Sequence, residues 1–144
     1  MRILFLCTAN SCRSQMAEGW ANALRRVRFD ACSAGTAPGT LNPLAVKVMA
    51  EAGIDISTHR AKHVNEFAAA PPDVVVTVCD SAHEACPALP GATRTLHRAF
   101  DDPPRLAANA RTEEEALAHY RRVRDEIRAF VESLPQSLIT TEHP

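Results

Sequence analysis

The sequence is poor in aromatic residues, carries little net charge and has no long apolar run. Aromatics make up 5% of it. The core must therefore rest on Val, Ile, Leu, Met and Phe scattered among twenty-five alanines. A formal net charge of −1 excludes a bulk electrostatic pull toward nucleic acid or anionic lipid. No stretch approaches the roughly 20 apolar residues that span a bilayer. The opening MRILFLC is too short for a secretory apolar region followed by a cleavage site, so a cytoplasmic protein is expected. Neither GxxxxGK[ST] nor GxGxxG occurs, which excludes those nucleotide-binding loops. There is no internal repeat and no low-complexity linker. A single domain over residues 1–136 is expected, with 137–144 as a loose tail.

What the chain does have is cysteine, five in 144 residues. In a reducing compartment clustered thiols point to metal binding or catalysis. An odd number fits a purely structural disulfide framework poorly. Two of the five close short apolar runs.

The runs are Arg2–Cys7 and Asp73–Val78, the second β-branched and followed at once by Cys79. Further strands are expected at Arg28–Ser33 and Arg94–His97. Met16, Ala17, Trp20, Ala21, Leu24 and Val27 repeat at helical spacing over Ser14–Val27. Pro43 opens a second helix with Leu44, Val48, Met49 and Ala52 on one face and Gly53 at its end. Thr112 and Glu115 form a capping box for a last helix, stopped by Pro135. Strands alternating with helices give an α/β fold with a parallel sheet. Ligands of such folds bind at the carboxyl ends of strands, where Cys7 and Cys79 stand.

The segment after the first strand is Cys7-Thr8-Ala9-Asn10-Ser11-Cys12-Arg13-Ser14. Cys-x5-Arg alone is a weak motif, but its place between a buried strand and a helix makes it specific. A short polar loop at a helix N-terminus turns backbone N–H groups into one concavity. Arg13 adds a planar cation suited to a tetrahedral oxyanion. The same field favours a thiolate at Cys7, with the pKa falling from about 8.5 into the ~3.5–7.5 range, and Ser14 is placed to donate to it. An anion held over an activated sulfur is a setting for nucleophilic attack.

Cys79-Asp80-Ser81-Ala82-His83-Glu84-Ala85-Cys86 leaves several readings open. The two cysteines are small buried hydrophobes, or they join His83 as zinc ligands, or they are a redox pair. On a helix they would lie about 10.5 Å apart along the axis, beyond the roughly 4.4–6.8 Å of a disulfide. A bridge would then require the segment to unwind. In Phe100-Asp101-Asp102-Pro103-Pro104, the Asp before a proline is held extended. It is either a turn-forming surface acid or the proton donor that oxyanion chemistry needs. His59, His63 and His119 are expected at the surface.

The run Cys-Thr-x-Asn-Ser-Cys-Arg-Ser-Gln-Met-Ala-Glu-Gly-Trp over 7–20 resembles the active-site loop of thioredoxin-coupled arsenate reductases. The likeness continues through Ser33-Ala34-Gly35, Asn42-Pro43, Gly53–Ser57, Val75–Cys79, Cys86-Pro87, Phe100–Pro103 and Arg121–Ile127. That family shares the low-molecular-weight protein tyrosine phosphatase fold. The resemblance implies three layers, with a central four-stranded parallel sheet in the order 2-1-3-4 flanked by helices. It implies that Thr8, Ala9, Asn10, Ser11, Cys12, Arg13 and Ser14 bind arsenate and that Cys7 attacks it, with Asp102 as proton donor. Cys79 then releases arsenite, and Cys86 takes over to leave a Cys79–Cys86 disulfide for thioredoxin, and ultimately NADPH, to reduce. It implies a monomer with no bound cofactor or metal. Lys62 stands where some relatives hold a monovalent cation with an acidic residue. Ala9 replaces a common glycine, at a cost of about 1 kcal/mol if φ is positive there. Cys12 reads as structural, and Cys32 has no assigned role. The alternatives are a tyrosine phosphatase of the same fold and a non-catalytic thiol or zinc regulator. Against the phosphatase, Gln15 replaces a usual proline, and Pro104 and Arg105 replace a pair of tyrosines.

Overall fold

The computed structural model describes residues 1–25, 28–79 and 94–134. The elements are β1 (Arg2–Cys7), α1 (Arg13–Leu24), β2 (Asp30–Gly35), α2 (Pro43–Glu51), β3 (Val74–Thr77), β4 (Arg94–His97), α3 (Pro103–Leu106) and α4 (Glu113–Glu132). The four strands form one parallel sheet in the order β2-β1-β3-β4. Helices flank it, as the low-molecular-weight phosphatase-like expectation required.

Apolar continuity explains the middle of the sheet. Ile3, Leu4, Phe5 and Leu6 are fully buried, and Val74, Val75 and Val76 nearly so. Strands covered on both faces read as unbroken hydrophobic runs rather than alternating ones. α4 packs against both α1 and α2. Its stripe of Leu117, Tyr120, Val123, Ile127 and Val131 is buried. Trp20 on α1 donates its indole N–H to the Arg124 carbonyl at 3.2 Å, which fixes one helix against the other.

Several boundaries differ from expectation. β2 lies two residues later than Arg28–Ser33, because its register pairs Arg2 with Asp30 and Cys7 with Gly35. β3 is trimmed to Val74–Thr77, since Asp73 instead uses its carboxylate to accept from the Arg2 N–H at 2.7 Å. α1 begins at Arg13 and ends at Leu24. The capping box at Thr112 is half formed. Thr112 Oγ1 accepts from the Glu115 N–H at 3.1 Å, but the Glu115 carboxylate reaches past it to the Arg111 N–H at 2.8 Å. Among the described residues no helix is long and apolar enough to cross a membrane.

Candidate active site

β1 ends at Cys7, and the chain crosses to α1 through residues 8–12. The shape of this loop is imposed from outside. Four of its carbonyls point away from the centre and accept N–H groups from the β2–α2 connection. Thr36 donates to the Cys7 oxygen at 3.2 Å, Ala37 to Thr8 at 2.9 Å, Gly39 to Ala9 at 2.9 Å and Asn42 to Ser11 at 2.9 Å. With the carbonyls held outward, the peptide N–H groups of residues 9–13 have no partner among the described residues. A ring of free donors at a helix N-terminus is an anion cradle.

Two backbone features make this possible. Gly35 lies against the loop so closely that a Cβ there would stand 2.4 Å from the Thr8 oxygen. Asn10 takes φ 53°, the one non-glycine residue with positive φ among those described. The strain expected at Ala9 thus falls one residue later, on a side chain that tolerates it. Asn10 is fully buried. Its amide donates to Ser14 Oγ at 2.8 Å and Ser33 Oγ at 3.0 Å, and its oxygen accepts from Gln15 Nε2 at 3.1 Å and the Lys62 N–H at 3.0 Å.

Beneath the loop lies a polar foundation that motif reading missed. Ser14, Gln15 and Glu18 are buried on α1, and Ser33 donates to Glu18 at 2.7 Å. Lys62 Nζ stands 3.8 Å from the Glu18 carboxylate, and His59 Nδ1 lies 3.2 Å from it and 3.0 Å from Gln15 Oε1. His59 is therefore half-buried and partnered, not the surface residue expected. His63 caps a short helical turn by accepting the Asn65 N–H at 3.0 Å. The sequence carried a signal for the α1 members alone. Three polar residues, two of them four apart, interrupt the apolar face of α1. Ser14, expected to donate to Cys7, is engaged by Asn10, and no bond joins it to that sulfur.

Backbone bonds continue beyond the ends of the strands and draw the other parts inward. Val78 donates to the Leu6 carbonyl at 2.9 Å, Arg98 to Thr77 at 2.9 Å and Phe100 to Val78 at 3.1 Å. This sets Cys79 beside Cys7 and brings the 100–102 segment over the loop. The Cys7 and Cys79 thiols are hydrogen-bonded to each other. Thr8 Oγ1 lies 3.4 Å from Cys79 Sγ. The Cys79 bond and burial push the Cys7 pKa up, while Arg13 and the Thr8 N–H pull it down. The expected low value is reversed for the thiols in contact. Two coupled sulfurs titrate as a pair. Burial holds the Cys12 thiol at about 12.

Arg13 crosses the mouth of the loop. It donates from Nη1 to the Phe100 carbonyl at 3.0 Å, and its Nη2 is 3.6 Å from Asp102 Oδ1. Its buried Nε has no partner among the described residues. Asp102 is extended at φ −90° and ψ 103° before Pro103, and Asp101 turns outward to Arg122 at 3.0 Å. Arg13, Cys79, Phe100, Asp101, Asp102, Arg105 and Leu106 line a cleft of about 430 Å³. A larger depression of about 620 Å³ beside Asp30, Asp55 and His59 contains no cysteine. Cys86 and His83, with the unwinding segment expected at 80–85, lie outside the described residues. So do Pro135 and the tail at 137–144. Among the described residues no three His, Cys, Asp or Glu side chains gather to hold a metal.

The arsenate reductase of Bacillus subtilis is 47% identical over 125 residues, covering 87% of this chain and 88% of the relative. That of Halalkalibacterium halodurans is 46% identical over the same coverage. A solved arsenate reductase in its reduced state superposes with a TM-score of 0.72 at 30% identity, covering 95% of this chain and 98% of the other. The low molecular weight protein tyrosine phosphatase of T. tengcongensis gives 0.74 at 28% identity, covering 95% and 99%. Residues 2–142 match the family described as low molecular weight phosphotyrosine protein phosphatase, and the chain belongs to it.

Proposed function

We propose that the protein is a cytoplasmic arsenate reductase that acts as a monomer and draws its electrons from thioredoxin. Arsenate occupies the ring of loop N–H groups, with the free Nε of Arg13 turned to one of its oxygens. The Cys7 thiolate attacks arsenic and a hydroxyl leaves as water, with Asp102 giving the proton. Cys79 then attacks the Cys7 sulfur. The sulfur–arsenic bonding pair returns to arsenic, which leaves as arsenite, reduced by two electrons. Cys7 and Cys79 are left as a disulfide. Cys86 attacks Cys79, frees Cys7 as a thiolate and forms the Cys79–Cys86 bridge. A thioredoxin dithiol reduces that bridge, and NADPH replenishes it.

The observation that carries this reading is the second cysteine at the anion cradle: β3 runs beside β1, Val78 donates to the Leu6 carbonyl at 2.9 Å, and Cys79 Sγ lies 3.4 Å from Thr8 Oγ1, next to Cys7. A phosphatase needs the first sulfur and has no use for the second. The curated relatives named above are arsenate reductases, which supports the same choice. A phosphate monoester fits the same cradle, so a slow phosphatase activity accompanies the reductase as a second reading.

Purified protein with thioredoxin, thioredoxin reductase and NADPH is expected to convert arsenate to arsenite over many turnovers. Cys7→Ser removes both activities, and Cys86→Ser permits a single turnover. Sustained turnover by Cys86→Ser would overturn the relay. Arsenate reduction by Cys7→Ser would overturn the choice of nucleophile. Parallel runs with glutaredoxin identify the reductant.

A further inference from the structure

We propose that Arg105 is a capture residue for the substrate dianion, a second guanidinium at the mouth of the cleft that draws a small oxyanion toward Arg13. The proposal rests on the reading of the cleft as an oxyanion site. Arg105 lines the same cleft as Arg13, Cys79 and Asp102. It is exposed in the last turn of α3, and its guanidinium makes no hydrogen bond or ion pair with the described residues. The acids nearest it in the chain are already engaged, Asp101 by Arg122 at 3.0 Å and Asp102 by Arg13 at 3.6 Å. Among the described residues the Arg105 charge is thus neither neutralised nor tied down.

Its position is nonetheless defined. Pro103 is buried and Pro104 follows it, so two fixed φ angles start α3. The Leu106 N–H donates to the Asp102 carbonyl at 3.0 Å, which closes the turn that presents Arg105. A cation on the rim of a low-dielectric cleft raises the local concentration of an oppositely charged ligand and its association rate. The pull grows with ligand charge, so a dianion gains more than a monoanion. It acts through solvent and is screened by salt. Arg105 therefore changes capture and selectivity, and leaves the sulfur chemistry to Cys7 and Cys79.

The test compares wild type, Arg105→Gln and Arg105→Lys at about 20 mM and about 500 mM NaCl, which spans long and short screening lengths. Inorganic phosphate binding is measured by calorimetry, and arsenate turnover in parallel. Arg105→Gln is expected to weaken phosphate binding and raise KM by about tenfold at low salt, and by less than about twofold at high salt, with kcat unchanged. Arg105→Lys stays within about twofold of wild type at both. Equal binding by wild type and Arg105→Gln at low salt overturns the proposal. A loss that is the same at both salt concentrations also overturns it, because screening leaves a packing defect untouched. Failure of wild type to bind phosphate at all overturns the oxyanion reading of the cleft and the proposal with it.

Discussion

Asn10 holds the loop in a backbone conformation that most side chains avoid. Its φ of 53° is tolerated because the buried amide group is bonded on both its oxygen and its nitrogen. Asn10→Gly keeps the conformation and loses those bonds; Asn10→Ala loses both. Urea unfolding is expected to show a loss of about 1–3 kcal/mol for Gly, and roughly 1 kcal/mol more for Ala. A smaller loss for Ala than for Gly would contradict this account. Cys32 makes a second prediction. Burial pushes its thiol up to about 11 from an ordinary 9.0. Below pH 9 folded and unfolded chains both hold the proton, so the stabilisation is complete. Above it the unfolded chain gives the proton up first. Stability therefore falls as pH rises toward 11, by about 1.4 kcal/mol per unit. Cys32→Ser is expected to remove that share of the decline measured by urea midpoints between pH 8 and about 11, leaving the share that belongs to the buried Cys7 and Cys12 thiols. At this scale the loop residues were legible, because Cys-x5-Arg follows a buried strand. The foundation was not. Gln15, Glu18, His59 and Lys62 come from two distant stretches, and only folding shows that they share one buried network.

The connection between β2 and α2 acts as a mould for the loop. It fixes four carbonyls outward and so decides where the N–H groups point. Gly35 is the closest point of contact, with no room for a methyl group before the Thr8 oxygen. Gly35→Ala must push backbone against backbone. Phosphate affinity measured by calorimetry is expected to fall at least about tenfold, while far-UV circular dichroism stays native, since a displacement of about 1 Å suffices to spoil such a site. Unchanged affinity would mean that the loop is shaped by α1 alone. Helices and their caps were largely readable. Thr112 caps α4 by accepting from Glu115 and Gly53 takes φ 83° just beyond α2, while Asn42, which no motif singled out, caps α2 by accepting from Leu44 and Ala45. The start of β2 was not readable, because Asp-Ala-Cys-Ser-Ala-Gly has little β propensity and is a strand only by pairing with β1. The second role of Asn42, in which its N–H holds the Ser11 carbonyl while its amide donates to Tyr120 at 3.0 Å, has no local signature.

On the scale of the molecule, the sheet gathers three separate pieces at the carboxyl ends of its strands: the loop after β1, Cys79 after β3, and the 98–102 segment after β4. The cradle is assembled from these separate pieces only by folding. Any tetrahedral oxyanion that binds only the folded chain therefore stabilises it. Phosphate at about 100 times its dissociation constant is expected to add about 2.7 kcal/mol. The rise in Tm followed by calorimetry should vanish in Arg13→Ala. The parallel sheet was legible from alternating elements and from two apolar runs ending in cysteine. Its strand order was not, because any order keeps those runs buried, and the expected 2-1-3-4 came from family likeness. The order matters through register. Cys7 faces Gly35 across β1 and β2, with Ala34 and Thr36 on either side. A slip of one residue between these strands would drive a side chain into the Thr8 carbonyl and collapse the cradle. The sheet therefore proofreads its own nucleophile: a chain paired out of register has no place for the anion, and only the correctly aligned sheet can react.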